Sequence, residues 1–187
     1  MDRRTTLIGL GLFALGGTGA VLGQAGRNPK PTAKSIEDIR TNWKRMLGPR
    51  AEVALNRDRI SRTDDQWRKQ LGESAYVVLR HEGTERPFSH PLNDEHRAGV
   101  FVCAGCALAV YTSEMKFDSG TGWPSFFTSI PDVFETSTDT KLIYPRTEYH
   151  CVKCEGHHGH LFDDGPAPTN QRWCNNGVSL RFIPLST

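Results

Sequence analysis

The sequence predicts a mainly β domain: antiparallel sheet in one or two layers, with short helices ahead of it. Three observations carry that expectation. From Gly99 onward, short β-rich runs alternate with turn residues. No helical periodicity in that half is long enough to compete. Two CxxC pairs fall inside the same stretch, in the pattern of knuckles that tie distant parts of a β-domain together.

Residues 1–25 belong to a different class. Arg3 and Arg4 precede an uncharged run from Leu7 to Leu22, 16 residues rich in Gly and Ala. A spanning helix wants about 20 apolar residues. A charged start, a short apolar core and small residues after it read as an export signal, and the paired arginines give it a twin-arginine character. Cleavage near Ala25 fits the small residues there, and a membrane-anchored form is the alternative. The expected location is exported, in the periplasm. Removing 1–25 takes away Asp2, Arg3 and Arg4 and leaves a net charge of +1.

Residues 26–62 read as a linker followed by a helical extension. Ser35 to Leu47 carries helix signals: Ser35 as cap, Asp38 in the capping-box position, and Ile36, Ile39, Trp43 and Leu47 at helical spacing, before Gly48-Pro49 ends it. The main domain is placed at 63–187. A helix begins at Thr63, with Gln66 completing a capping box, Trp67 and Leu71 on one face, and Gly72 as the stop. The stretch 75–80 suits either a strand or a helix. The β runs follow at 99–103, 132–137, 140–146, 147–152 and 178–183.

Of 187 residues, 24% are charged and 37% hydrophobic, which excludes a disordered or collagen-like chain. Lys and Arg number 23 against 21 Asp and Glu, so there is no broad basic face for nucleic acid or a membrane surface.

Five cysteines cannot all pair. Cys103 and Cys106 form one CxxC, Cys151 and Cys154 the other, with 44 residues between them. Two such turns present four thiolates to one tetrahedral ion, and soft ligands with no missing fourth position favour structural Zn²⁺. Such a site contributes about 10–16 kcal/mol to folding. Two disulfides, one redox-active CxxC, or a ligand set drawing on His157, His158 or His160 are the alternatives. Cys174 is left over, within QRWCNNG. A lone thiol two residues from Arg172 is a candidate nucleophile, since a nearby cation raises its thiolate fraction. His157 and His160 lie 17 and 14 residues upstream, within reach in an antiparallel sheet. A buried structural cysteine is the competing reading. In SGTGWPSFF, Trp123 stands between Gly122 and Pro124, either as a rigid floor for a small apolar group such as a thiomethyl or as a core residue beside Phe126 and Phe127.

These segments together carry a resemblance. GVFVCAGC, SGTGWPSFF, RTEYHCVKCEGHHGHLFDDGP, QRWCNNG and VSLRFIP occur in the order and spacing of the B-type methionine sulfoxide reductases, over roughly Thr63 to Pro184. The resemblance implies two antiparallel β-sheets forming an open, barrel-like body, short N-terminal helices, and a zinc site far from the active site. It implies a peptide-methionine (R)-S-oxide reductase with Cys174 as nucleophile and a sulfenic acid intermediate. His157 and His160 would flank the sulfoxide oxygen, with His160 as proton donor. Asn176 would orient substrate and water, Arg172 would support the thiolate, and Trp123 would pack on the methyl group. His158 fills a usually apolar position and is not carried over. Many relatives carry a resolving cysteine before GWPSF; Thr121 stands there in this chain. With four cysteines on zinc, an external thiol, thioredoxin-like or otherwise, is the expected reductant. The other expected partner is an oxidised protein or peptide, with no nucleic acid, and the chain a monomer. The rival function is a non-catalytic zinc-β binding or chaperone module, which would not need Cys174, His160 and Asn176 to occur together.

Overall fold

The structure is a computed structural model that describes residues 33–185. The export segment read in 1–25 lies outside the described residues. Among those described, no helix is long and apolar enough to cross a membrane. Helix α1 covers Ala33–Thr41, and a single 3₁₀ turn follows at Trp43–Met46. The expected single helix from Ser35 is therefore corrected in two ways. It starts earlier, so Ser35 is inside it rather than capping it. It also breaks at Asn42, whose side chain bonds Asp38 Oδ1 at 2.7 Å while its backbone leaves helical geometry. Asn competes with the ladder in this way wherever a local acceptor is offered. The apolar face is as read: Ile36 is buried, and Ile39, Trp43 and Leu47 pack on the core.

The capping box at Thr63 is formed in both directions, Gln66 N–H to Thr63 Oγ1 and Thr63 N–H to Gln66 Oε1 at 2.9 Å. It starts α2, Asp64–Leu71. Gly72, at φ +70°, ends α2 and opens α3, Glu73–His81, a reversal that favours glycine. The ambiguous stretch 75–80 is thus helical. It buries Tyr76 and Leu79, one turn apart.

Among the described residues, nine strands form two antiparallel sheets, as the resemblance implies. The smaller has the order β2–β1–β9, with β1 Gly99–Cys103, β2 Ala109–Thr112 and β9 Leu180–Pro184. The larger, β3–β4–β8–β7–β6–β5, comprises β3 Lys116–Phe117, β4 Ser125–Phe126, β5 Phe134–Asp139, β6 Arg146–Cys151, β7 His157–Phe162 and β8 Arg172–Asn175. The core lies between them. Tyr111 stacks on Phe126 at 3.8 Å, Phe101 meets Phe126 edge-on, and Phe134, Tyr149 and Trp173 continue the cluster.

Three strand expectations shift, that at 178–183 only at its start, where Val178 and Ser179 lie in a 3₁₀ turn and β9 opens at Leu180. Asp132 sits at φ +57°, in the left-handed region, so β5 starts at Phe134 rather than at 132. Of the run 140–146 only Arg146 lies in a strand, as the first residue of β6. Asp139 pairs with Arg146, which closes the β5–β6 hairpin there and leaves 140–145 as its tip with nothing to pair against.

The larger sheet separates its faces by alternation. Phe134, Tyr149 and Trp173 point into the core. Glu135, Ser137 and Asp139 on β5, Arg146, Glu148 and His150 on β6, and Arg172 and Cys174 on β8 share the other face through their pairings. On β7 strict alternation would put His157 and His160, three apart, on opposite faces. A bulge prevents this: Tyr149 pairs with Gly159 and its neighbour His150 with His157, leaving His158 as the extra residue. Both outer histidines therefore share the polar face, and His158 turns inward.

Candidate active site and metal centre

The four paired cysteines come together as the spacing predicts. Cys103 ends β1, Cys151 ends β6, and each CxxC turn carries the second cysteine beyond the strand. Their four sulfurs lie within 4.8 Å of one another, with Cys103 to Cys154 at 3.5 Å and Cys106 to Cys151 at 3.6 Å. All are free thiols, well beyond the roughly 2.05 Å of a disulfide. Four sulfurs at about 2.3 Å from one tetrahedral ion would stand about 3.8 Å apart, so the cluster fits a metal. The histidines considered as alternative ligands are not part of it. Hydrogen bonds from the other three thiols push the Cys151 thiol far down, and those neighbours push Cys103 up.

The helices hold both knuckles. Gln70 donates to Gly105 O at 2.6 Å and Arg80 to Cys154 O at 2.7 Å. Trp67 is buried against this end of the molecule, under the cations of Arg62 and Arg80. A Cβ at Gly105 would stand 3.2 Å from the Cys154 sulfur, so the knuckle is tightly packed there.

Cys174 is elsewhere, on β8, half-buried at the wall of a pocket of about 120 Å³. The pocket is also lined by Trp123, His160, Asn176, Arg146 and Thr84. Cys174 has two direct cross-strand partners, Ser125 on β4 and His160 on β7. Facing side chains in such pairs have Cβ atoms about 5 Å apart, so thiol and imidazole are neighbours by construction. A Cβ at Gly159 would strike the Cys174 carbonyl, which is why the strand pair can approach so closely there.

Burial raises the Cys174 thiol, and the Arg172 guanidinium works against it by charge and hydrogen bond. The Thr121 hydroxyl also favours the thiolate. Thr121 belongs to a chain of hydroxyls, 2.8 Å from Ser119 Oγ, which is 2.8 Å from Ser125 Oγ. Arg172 is held in a fork by Asp164, at 2.7 and 2.9 Å, and lies over the Phe162 ring.

His160 is oriented by a residue the sequence reading missed. Its Nε2 lies 2.8 Å from Asp139 Oδ2. Asp139 also accepts from the Lys141 N–H at 2.8 Å and from Arg146 at 2.6 Å. The Lys141 amide first, then His160 and Arg146, hold its carboxyl well below the usual carboxylate range. Burial lowers His160 from the ordinary imidazole value, with Asp139 opposing. His157 stands behind, its ring 5.4 Å from that of His160 and edge-on. Its Nδ1 is 2.7 Å from Glu148 Oε1, and its Nε2 is buried without a hydrogen-bond partner among the described residues. Burial would raise Glu148, but His150, His157 and Ser137 hold it down. The period-two pattern Glu135-Ser137-Asp139 facing Arg146-Glu148-His150 was the available signal for both carboxylates.

Trp123 lines the pocket rather than the core, with its Nε1–H on Glu85 O at 3.2 Å. Both polar ends of the Asn176 side chain are engaged, its oxygen by the Glu85 N–H and its nitrogen on His158 O, each at 3.0 Å. The Glu85 carboxylate accepts from the Gly177 and Val178 N–H groups. Glu85 thus binds the 82–90 segment to Trp123 and to the strand end after Cys174. His158 is fully buried in the core with Nδ1 at 3.2 Å from Asn175, and burial pushes it down to about 4.

Comparison with known proteins gives one result throughout. The family model described as the SelR domain matches residues 71–184. A peptide methionine sulfoxide reductase MsrB of Bradyrhizobium diazoefficiens is 43% identical over 137 residues, covering 73% of this chain and 99% of that protein. The protein of the same name from Hahella chejuensis is 47% identical over 126 residues, 67% of this chain and 91% of its own. That of Methanosarcina barkeri is 45% identical over 124 residues, 66% and 87% of the two chains.

Proposed function

The chain belongs to the SelR-domain family of B-type methionine sulfoxide reductases and is a peptide-methionine (R)-S-oxide reductase, and we propose that it acts through the Cys174 thiolate, with His160 as the proton donor. The observation that carries this reading is the pairing of Cys174 directly opposite His160 in a pocket whose other wall is Trp123.

The chemistry follows from the groups. The sulfoxide sulfur is electrophilic, and its oxygen leaves only if protonated. The Cys174 thiolate attacks that sulfur while His160, oriented by Asp139, delivers a proton to the oxygen. The oxygen passes to the Cys174 sulfur. Methionine departs, and Cys174 is left as a sulfenic acid, oxidised by two electrons. His157 supports the same oxygen from the second row. Trp123 packs on the methyl group, and methyl and oxygen sites on different walls select one epimer. Asn176 fixes the pocket wall by holding Glu85. Arg172 stabilises the thiolate.

An external thiol then condenses with the sulfenic acid, releasing water, and a second thiol frees Cys174 as the reductant's disulfide forms. Thr121, where many relatives carry a resolving cysteine, supports this route. Cys103, Cys106, Cys151 and Cys154 hold one structural Zn²⁺, which ties the two knuckles together. The substrates are oxidised proteins or peptides. The signal read in 1–25 makes this a repair activity outside the cytoplasm, and N-terminal sequencing of the exported protein tests that assignment.

The deciding experiment offers a peptide carrying both sulfoxide epimers with excess dithiothreitol to wild type and Cys174→Ser. Consumption of the R epimer alone, abolished by the substitution, is expected. Folded protein that consumes neither epimer would overturn the reading. Peptide mapping during turnover checks the last step, since a Cys174 disulfide to any of the four cluster cysteines would exclude the external route.

A further inference from the structure

The β5–β6 hairpin tip carries Leu142, Ile143 and Tyr144 at 59%, 92% and 79% exposure. They are three consecutive large apolar side chains in open solvent, and among the described residues nothing packs over them. Single exposed apolar residues are ordinary; a contiguous group marks an interaction surface.

Its position says what kind. The tip begins immediately after Asp139, which holds His160, and ends immediately before Arg146, which lines the pocket. Lys141 pairs with Glu82, fastening the tip to the start of the 82–90 segment whose Thr84 lines the same pocket. At the other end of that segment Phe88 is 69% exposed. It is held at φ +60°, a costly conformation for a non-glycine residue, by its N–H on Gly122 O at 2.7 Å. Gly122 itself sits at φ +90°, where a side chain would strike the Phe88 ring, and it directly precedes Trp123. The pocket therefore has apolar shoulders beside two of its lining residues, the hairpin tip next to Arg146 and Phe88 next to Trp123. The pocket takes one side chain; a polypeptide carrying that side chain must run out of it over the rim.

We propose that Leu142, Ile143 and Tyr144, with Phe88, form the docking surface for apolar residues flanking the methionine sulfoxide in an extended, unfolded polypeptide. The proposal rests on the reductase reading above and narrows its substrate. Methionine is among the residues most often buried, so an oxidised core methionine reaches the pocket only on a loosened chain whose other apolar residues are exposed as well. A surface that gathers such residues favours damaged chains over the free amino acid.

The test uses the full chain and the triple variant Leu142→Ser, Ile143→Ser, Tyr144→Ser, with three substrates. These are N-acetyl-methionine (R)-sulfoxide amide, a peptide with the sulfoxide between leucines and valines, and the same peptide with serines and glycines instead. We expect kcat/KM on the apolar peptide to fall about tenfold, equivalent to ~1.4 kcal/mol, mostly in KM. The other two substrates should be turned over as by wild type. Turnover of the small amide is also the control for folding. Equal turnover of the apolar peptide by variant and wild type overturns the proposal. So does loss of self-association, or of binding to phosphatidylglycerol vesicles, with all three substrates unaffected, since the tip would then serve a second copy or a lipid surface. A wild type inactive on every substrate refutes the reductase reading instead.

Discussion

In the four-cysteine cluster each sulfur faces other sulfurs; at Cys174 a single sulfur faces a guanidinium, an imidazole and a hydroxyl. The cluster is built where strands end, on two CxxC turns, one closed over Ala104-Gly105 and the other over Val152-Lys153. It is covered by Trp67 and pinned through backbone carbonyls by Gln70 and Arg80. Cys174 is built mid-strand, where the register of three strands decides its neighbours. The difference teaches that thiol chemistry is set by what the fold places within reach. Four thiols in mutual contact are a ligand set. One thiol among charges and donors is a reagent.

The largest effect that would break this contrast is structural. With the proposed Zn²⁺ in the cluster, Cys154→Ser should abolish metal retention and unfold the domain under ordinary conditions, because such a site is worth about 10–16 kcal/mol. Cys174→Ser should shift stability by less than about 1 kcal/mol. Metal analysis with thermal unfolding of both variants checks this, and two similar melting curves would erase the distinction. Next comes the polar face. His160→Gln and Asp139→Asn should each lower kcat by about 10²-fold while the chain stays folded. Asp139 opposes the downward push of burial on His160. Removing its carboxylate must therefore lower His160 further, and the alkaline limb that reports loss of its proton must move to lower pH. A pH–rate profile of Asp139→Asn with that limb unmoved would reduce the carboxylate to a structural group. The smallest effect sharpens the picture of the thiolate. Since Arg172 draws Cys174 down, Arg172→Met should slow alkylation of Cys174 by iodoacetamide several-fold at neutral pH and leave metal retention intact.

Much of this was legible in residue spacing. The two CxxC pairs needed only their turns, and the capping box at Thr63 only its own four residues; both are local. Cys174 stood out because the other four cysteines paired off. What spacing misses is register. Asp139 meets His160 because β5 pairs with β6 and β6 with β7, and no single segment records that chain of pairings. The same is true of the bulge at His158, without which GHHGH would divide its outer histidines between two faces. Residues 140–146 read as a strand because Thr, Ile and Tyr are good strand formers. They form a tip because the hairpin had already closed at Asp139 and Arg146. Ser35 reads as a cap from its type and from Asp38 three residues on, yet the helix already includes Ala33.

Glu85 brings a consequence of another kind. Its carboxylate accepts from Gly177 and Val178, 92 and 93 residues further on. Loops of that size close late, because the entropy of bringing their ends together must be met before any contact returns it. During synthesis the wall of the pocket has nowhere to dock until Gly177 and Val178 have been made, and the proposed nucleophile, Cys174, precedes them by only three and four residues. A chain not yet grown to Gly177 thus carries no assembled pocket wall. The thiol emerges just ahead of that clasp, and its guanidinium, imidazole and hydroxyl neighbours gather around it only as this segment folds home.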